Sequence, residues 1–197
     1  MSKPLYLASQ SPRRLELLRQ IGLLPTTLRL GVDVDETPLP GEGAVAYVSR
    51  LARRKAEAGL LAIAERGLPV LPIVAADTTV TIDGATLGKP ADAGEAADML
   101  RRYSGRAHTV LTGVAVALGG RLKSAVSESE VYFKPLSETE IAAYVASKEG
   151  YDKAGGYAIQ GRAAVFVTRL SGSYSGVMGL PLFETSELLK AVGFVAL

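Results

Sequence analysis

Apolar and polar positions follow two rhythms along the chain, and the switches between them mark out its elements. Residues 5–8 form a short unbroken apolar run, which predicts a buried strand. Ser11 follows as an N-cap and Pro12 as a first-turn residue. Leu15, Leu18 and Ile21 then recur at helical spacing until Gly22. A second strand is expected over 26–31, leading into the acidic loop VDVDETP at 32–38. From residue 44 to about residue 66 the pattern is that of a long amphipathic helix, with Val48, Leu51, Ala52 and Ala58 on one side and Gly67 as its stop.

Residues 70–76 are continuously apolar, as in a strand covered on both faces, and this strand delivers Asp77 at its C-terminal end. TVTIDGATLG alternates around Asp83-Gly84, a hairpin signal. Asp92 with Glu95 predicts a capping box opening a helix to Tyr103. Strands over 107–118 and 121–134 are joined by Gly119-Gly120, and Ser137 with Glu140 caps a helix to about residue 147. The glycine-rich KAGGYAIQG precedes a strand at 163–170, and a helix over 185–192 closes the chain. Strands and helices alternate at first, and then two long strands pair as a hairpin. The reading is therefore an α/β fold with a bent mixed sheet flanked by helices, roughly six short helices and about eight strands, in one domain over 1–197.

Composition changes this picture mainly by exclusion. With 48% hydrophobic and 21% charged residues the chain has the profile of an ordinary folded domain. A net charge of +2 gives no electrostatic footprint for duplex nucleic acid or an anionic membrane, so an anionic ligand would have to be held by a few placed cations. There is no cysteine, which removes disulfides, thiolate metal sites and a thiol nucleophile. The only histidine, His108, lies in an apolar run without a GxSxG elbow, and a structural, hydrogen-bonded role is expected for it. The longest apolar stretch, at 68–76, is too short to span a bilayer, and the N-terminus lacks the apolar core of a signal peptide; a cytoplasmic location is expected.

Chemistry then falls to carboxylates, cations and a hard metal ion. SQSPRR at 9–14 places Arg13 and Arg14 in the first turn of a helix, where the macrodipole is already positive. That arrangement suits either a phosphate cradle with Ser9 or a solvated helix start whose arginines find carboxylates. Asp33, Asp35 and Glu36 offer oxygen ligands to a hard cation, although their spacing alone favours an acidic surface loop. Asp77, at the carboxyl end of an apolar strand, is a candidate general base, against a turn-capping role with Thr78 and Thr79. GATLGKP fails as a P-loop because Pro90 replaces the metal-binding hydroxyl, and Lys89 and Lys55, taken singly, read as surface lysines. Gln160 offers a donor and an acceptor in one plane and is equally compatible with a simple turn.

Taken in order, LYLASQSPRRLELLRQIGL, VDETP, AADTTV, LGKPADAGEAADMLRRYSG, DKAGGYAIQG and MGLPL resemble the Maf family of nucleotide pyrophosphatases. The resemblance spans residues 5 to 190, and it alone supplies the substrate class. It implies a Maf/inosine triphosphatase-like fold of two lobes with a substrate cleft, often assembled as a homodimer. It also implies hydrolysis of a nucleoside triphosphate to monophosphate and pyrophosphate with Mg2+ or Mn2+. Asp77 matches the family's proton acceptor, and Ser9, Arg13, Arg14, Glu36, Lys55 and Lys89 match polar cleft positions. Ser9, Arg14, Lys55 and Lys89 are assigned to phosphate, and Glu36 with Asp77 to the metal. Arg13, Thr78 and Gln160 match the positions that separate substrate classes, in the form carried by the dTTP/UTP subgroup. The competing expectation is a nucleotide-sensing protein of cell-division arrest that hydrolyses nothing.

Overall fold

The computed structural model describes residues 3–195. Its elements are β1 (Lys3–Leu7), α1 (Pro12–Gln20), β2 (Leu23–Thr27), α2 (Ala44–Glu65), β3 (Ile73–Ile82), β4 (Ala85–Leu87) and α3 (Ala93–Tyr103). After these come β5 (Ala107–Leu118), β6 (Arg121–Phe133), α4 (Glu138–Ala146), single 3-10 turns at Ala154–Gly156 and Arg162–Phe166, β7 (Val167–Ser171), α5 (Tyr174–Met178) and α6 (Leu182–Ala191). The strands form one mixed sheet in the order β2-β1-β3-β5-β6-β7, with β4 paired to β3. β1 runs parallel to both β2 and β3, whereas β3–β4 and β6–β7 are antiparallel. The expected α/β class with a mixed sheet flanked by helices is what the chain forms.

The chain divides into two compact units. Among the described residues the first comprises 3–77, 112–127 and 179–195, and the second 78–111 and 128–178. In the first, Tyr6, Ala8, Leu28, Ile73, Ala75, Ala115 and Ala117 pack with Ala52, Ala56 and Ile63 of α2. Small residues bring α2 close to the sheet: a Cβ on Gly113 would lie 2.3 Å from the Val48 carbonyl oxygen. The second unit has an aromatic core of Tyr103, Phe133, Tyr144, Tyr157 and Phe166. His108 stacks on Tyr103 with ring centroids 4.1 Å apart, and its Nε2 lies 2.7 Å from the Tyr157 hydroxyl. Burial pushes the imidazole down to about 3, so it is a neutral, hydrogen-bonded core residue as its sequence setting suggests.

Several boundaries differ from the sequence pattern for physical reasons. β2 lies at Leu23–Thr27, not 26–31, because its ladder with β1 runs from Lys3↔Leu23 to Leu7↔Thr27. β3 starts at Ile73, since Pro69 and Pro72 lack donors for a ladder and Val70 is 73% exposed. It then continues through the β-branched Thr78 and Thr79, so Asp77 lies inside a ten-residue strand and not at its end. The Asp92 carboxylate caps Glu95 N–H, but Glu95 reaches back to Ala91 N–H, one residue beyond a true box. Ser137 and Glu140 do form the reciprocal box. Residues 163–166 wind into a 3-10 turn that buries Ala163 and Phe166, which delays β7 to Val167. α6 begins at Leu182, where Thr185 bonds back to Pro181 O within the first turn, and α5 was not anticipated. The described residues contain seven strands, one fewer than expected.

Candidate active site

The first unit gathers most of the expected polar residues around Lys55. This lysine projects from α2, and its Nζ lies 2.7 Å from Asp77 Oδ1 and 2.6 Å from Glu36 Oε1. Asp77 comes from the buried part of β3 and Glu36 from the acidic loop, so one ammonium joins a strand carboxylate to a loop carboxylate. Their exposures differ accordingly, at 11% for the Asp77 side chain and 58% for Glu36. Pairing with two carboxylates offsets part of what it costs to take this cation out of water.

Arg14 supplies the second cationic position. From α1 its Nε donates to Gly179 O at 2.7 Å and its Nη1 to Ser9 Oγ at 3.1 Å. Ser9 Oγ also accepts from Ser11 N–H at 3.2 Å, which orders the turn that opens the helix. Burial lowers the pKa of Arg14; Asp77 and Glu36 oppose that shift, and Arg13 adds to it. Arg13 is half-buried beside it on the same turn. Of the two readings of SQSPRR, the carboxylate one is seen: Arg14 lies within the field of Asp77 and Glu36 while its fork is fixed by a carbonyl and a hydroxyl.

The acidic loop is braced as well as charged. Tyr47 donates its hydroxyl to Glu36 O at 2.9 Å, and Arg50 binds both oxygens of Glu42 at 2.6 Å and Thr37 O at 3.1 Å. That fork holds the Glu42 carboxyl down to about 2. Asp35 accepts from Thr37 N–H at 2.9 Å and so serves the turn. Gly179, Tyr47, Glu42 and Arg50 were not singled out from the sequence. Their work is to orient other residues, and Gly179 acts through a backbone carbonyl that has no side-chain signature.

The remaining expected residues belong to the second unit. Thr78 follows Asp77 in β3 and is half-buried, while Lys89 and Gln160 are exposed. Among the described residues no group of three or more His, Asp or Glu side chains is placed to hold a metal. The pair Glu36–Asp77, already drawn onto one cation, instead suits an ion that takes one or two carboxylates and completes its shell with phosphate oxygens and water.

The fold and this charge arrangement define an α/β protein with a carboxylate–ammonium–carboxylate centre beside a fixed guanidinium, a set suited to a polyanion and a proton transfer. Residues 4–192 match the Maf-like protein family, and the chain belongs to it. It is 55% identical over 190 residues to the dTTP/UTP pyrophosphatase of Chromobacterium violaceum, covering 96% of this chain and 95% of that one. It is 54% identical over 196 residues to the dTTP/UTP pyrophosphatase of Dechloromonas aromatica, covering 96% and 98%. With the one from Burkholderia lata the identity is 56% over 193 residues, covering 95% and 92%.

Proposed function

We propose that this protein hydrolyses dTTP and UTP to the monophosphate and pyrophosphate. The observation that carries the reading is the convergence of Lys55 on Asp77 and Glu36, in a chain more than half identical, end to end, to relatives bearing that name. Water attacks the α-phosphorus, Asp77 accepts its proton, and the bond from that phosphorus to the α–β bridging oxygen breaks. The departing pyrophosphate carries that oxygen. Arg13, Arg14, Lys55 and Lys89 offset the charge that builds on the phosphates, and Ser9 keeps Arg14 in register. Glu36 and Asp77 would hold Mg2+ or Mn2+, which supplies further charge neutralisation on the triphosphate.

Arg13, Thr78 and Gln160 are assigned to substrate choice. A pyrimidine imide edge presents an acceptor beside a donor, which an amide can match atom for atom. Once a bound base covers this exposed amide, mispairing it costs ~1–3 kcal/mol, about fivefold to a hundredfold in selectivity. The proposed setting is cytoplasmic, where these nucleotides are made and used, and the proposed assembly is a homodimer. Among the described residues no helix is long and apolar enough to cross a membrane.

The test is pyrophosphate release by the purified protein with Mg2+ or Mn2+, across dTTP, UTP, CTP, GTP and 7-methyl-GTP. Turnover of dTTP and UTP above the others is expected. Turnover confined to 7-methyl-GTP would overturn the assignment of the three specificity positions. Binding of dTTP with no pyrophosphate released would replace the enzyme with a nucleotide sensor.

A further inference from the structure

The glycine-rich segment at 151–161 is shaped by close approaches inside the second unit. Gly155 and Gly156 both take left-handed backbone, with φ of 75° and 73°, and a Cβ on Gly155 would lie 2.5 Å from Val80 Cγ2. Gly161 has an ordinary φ of −108°, yet a Cβ there would lie 2.2 Å from Glu149 Oε1. The space beside Gly161 is filled by the Glu149 carboxylate, whose two oxygens accept from Arg162 N–H at 3.1 and 3.0 Å. The Tyr144 hydroxyl accepts from Ala158 N–H at 3.0 Å, and burial, with the Glu149 carboxylate adding to it, raises its pKa. Gly161 N–H closes the turn onto Ala158 O at 3.0 Å. Gln160 therefore sits on a turn whose two flanks, at 158 and 162, are tied to two side chains, Tyr144 and Glu149.

We propose that Glu149, acting with Tyr144, is a positioning residue that holds Gln160 for base selection. The proposal rests on the role given to Gln160 above. A planar amide discriminates between base edges only when its backbone is fixed to a fraction of an ångström. Gln160 is exposed and its own side chain does not supply that rigidity, whereas the two flanking N–H groups are clamped.

The variants Glu149→Ala, Glu149→Gln, Gly161→Ala and Gln160→Ala would be compared with the parent for kcat and KM on dTTP and CTP. Glu149→Ala should lower the dTTP-to-CTP ratio of kcat/KM by about tenfold, through KM for dTTP, with kcat near the parent's. Glu149→Gln keeps one acceptor oxygen and should recover most of the ratio. Gly161→Ala displaces only the tip of a flexible side chain, so it should reproduce Glu149→Ala while melting near the parent's temperature. The Glu149→Ala/Gly161→Ala double variant should then be no worse than either single one.

A parental ratio in Glu149→Ala, equal losses on both nucleotides, or additivity in the double variant would overturn the proposal. Absence of dTTP turnover in the parent would remove the functional reading, and parental selectivity in Gln160→Ala would remove the role of Gln160. Each of these defeats the positioning role too, and each is recognised by its own control.

Discussion

Asp77→Asn tests the centre of the site while preserving its shape. The side chain is 11% exposed and pairs with Lys55, which keeps Glu36 at 2.6 Å when the Asp77 charge is removed. An amide oxygen can still accept from the ammonium, so a charge-assisted pair becomes a charge–dipole bond and no cation is orphaned. The expected loss is about 1–2 kcal/mol, well short of the ~3–5 kcal/mol seen when a buried charge is left alone. For a chain of this length that corresponds to a fall in Tm of roughly 2–8 °C. Turnover should respond far more, because an amide cannot take the proton from water: kcat for dTTP should fall by about 10²–10⁴-fold, with KM changed by less than about tenfold. Coupled pyrophosphate release and calorimetry on the same preparation give both numbers. A folded variant with turnover within about threefold of the parent refutes the proton-acceptor role. A Tm loss far beyond the stated range would instead make Asp77 chiefly the anchor of Lys55.

Arg14→Lys should raise KM for dTTP by about tenfold, since an ammonium cannot span Gly179 O and Ser9 Oγ as the planar fork does; steady-state kinetics reads it. His108 has a pKa near 3 in the folded protein against about 6.5 unfolded, so the unfolded chain takes the proton first, and stability is full above pH 6.5 and declines as the pH falls toward 3. Urea titrations at pH 6.5 and pH 5 should differ by about 1.5 kcal/mol from His108, and His108→Gln should lose most of that difference because the chain has no other histidine, with a smaller remainder from carboxylates such as Glu42 that are held low. Gly113→Ala should destabilise by about 3 kcal/mol, as its methyl would meet the Val48 carbonyl at 2.3 Å, and parental urea stability would contradict that close approach.

Local chemistry was legible in the sequence and long-range chemistry was not. The Asp83-Gly84 turn was readable because both residues adopt the left-handed backbone that such hairpins require, with φ of 53° and 73°. The Ser137–Glu140 box and the Gly119-Gly120 link follow from contacts a few residues apart. Asp77 was found, but its place inside β3 was missed, because a run of apolar residues does not reveal where two prolines postpone the ladder. Glycines 155, 156 and 161 read as permissive, whereas a side chain would run into Val80 at Gly155, crowd Met99 at Gly156 and displace the Glu149 carboxylate at Gly161, and such neighbours are invisible until the chain has folded. One partner of Arg14 is a carbonyl 165 residues away, a distance over which no spacing rule operates.

β3 carries Asp77 in the first compact unit and Thr78 in the second. Ser9, Arg14, Glu36 and Lys55 share the unit of the acid, while Gln160 shares that of Thr78. Under the roles proposed above the division is not clean: Arg13, assigned to substrate choice, shares the unit of the acid, and Lys89, assigned to phosphate, shares that of Thr78. On that assignment, substitutions at Thr78 or Gln160 could shift nucleotide preference while leaving the proposed hydrolytic residues of the first unit unchanged, whereas one at Arg13 would fall among them.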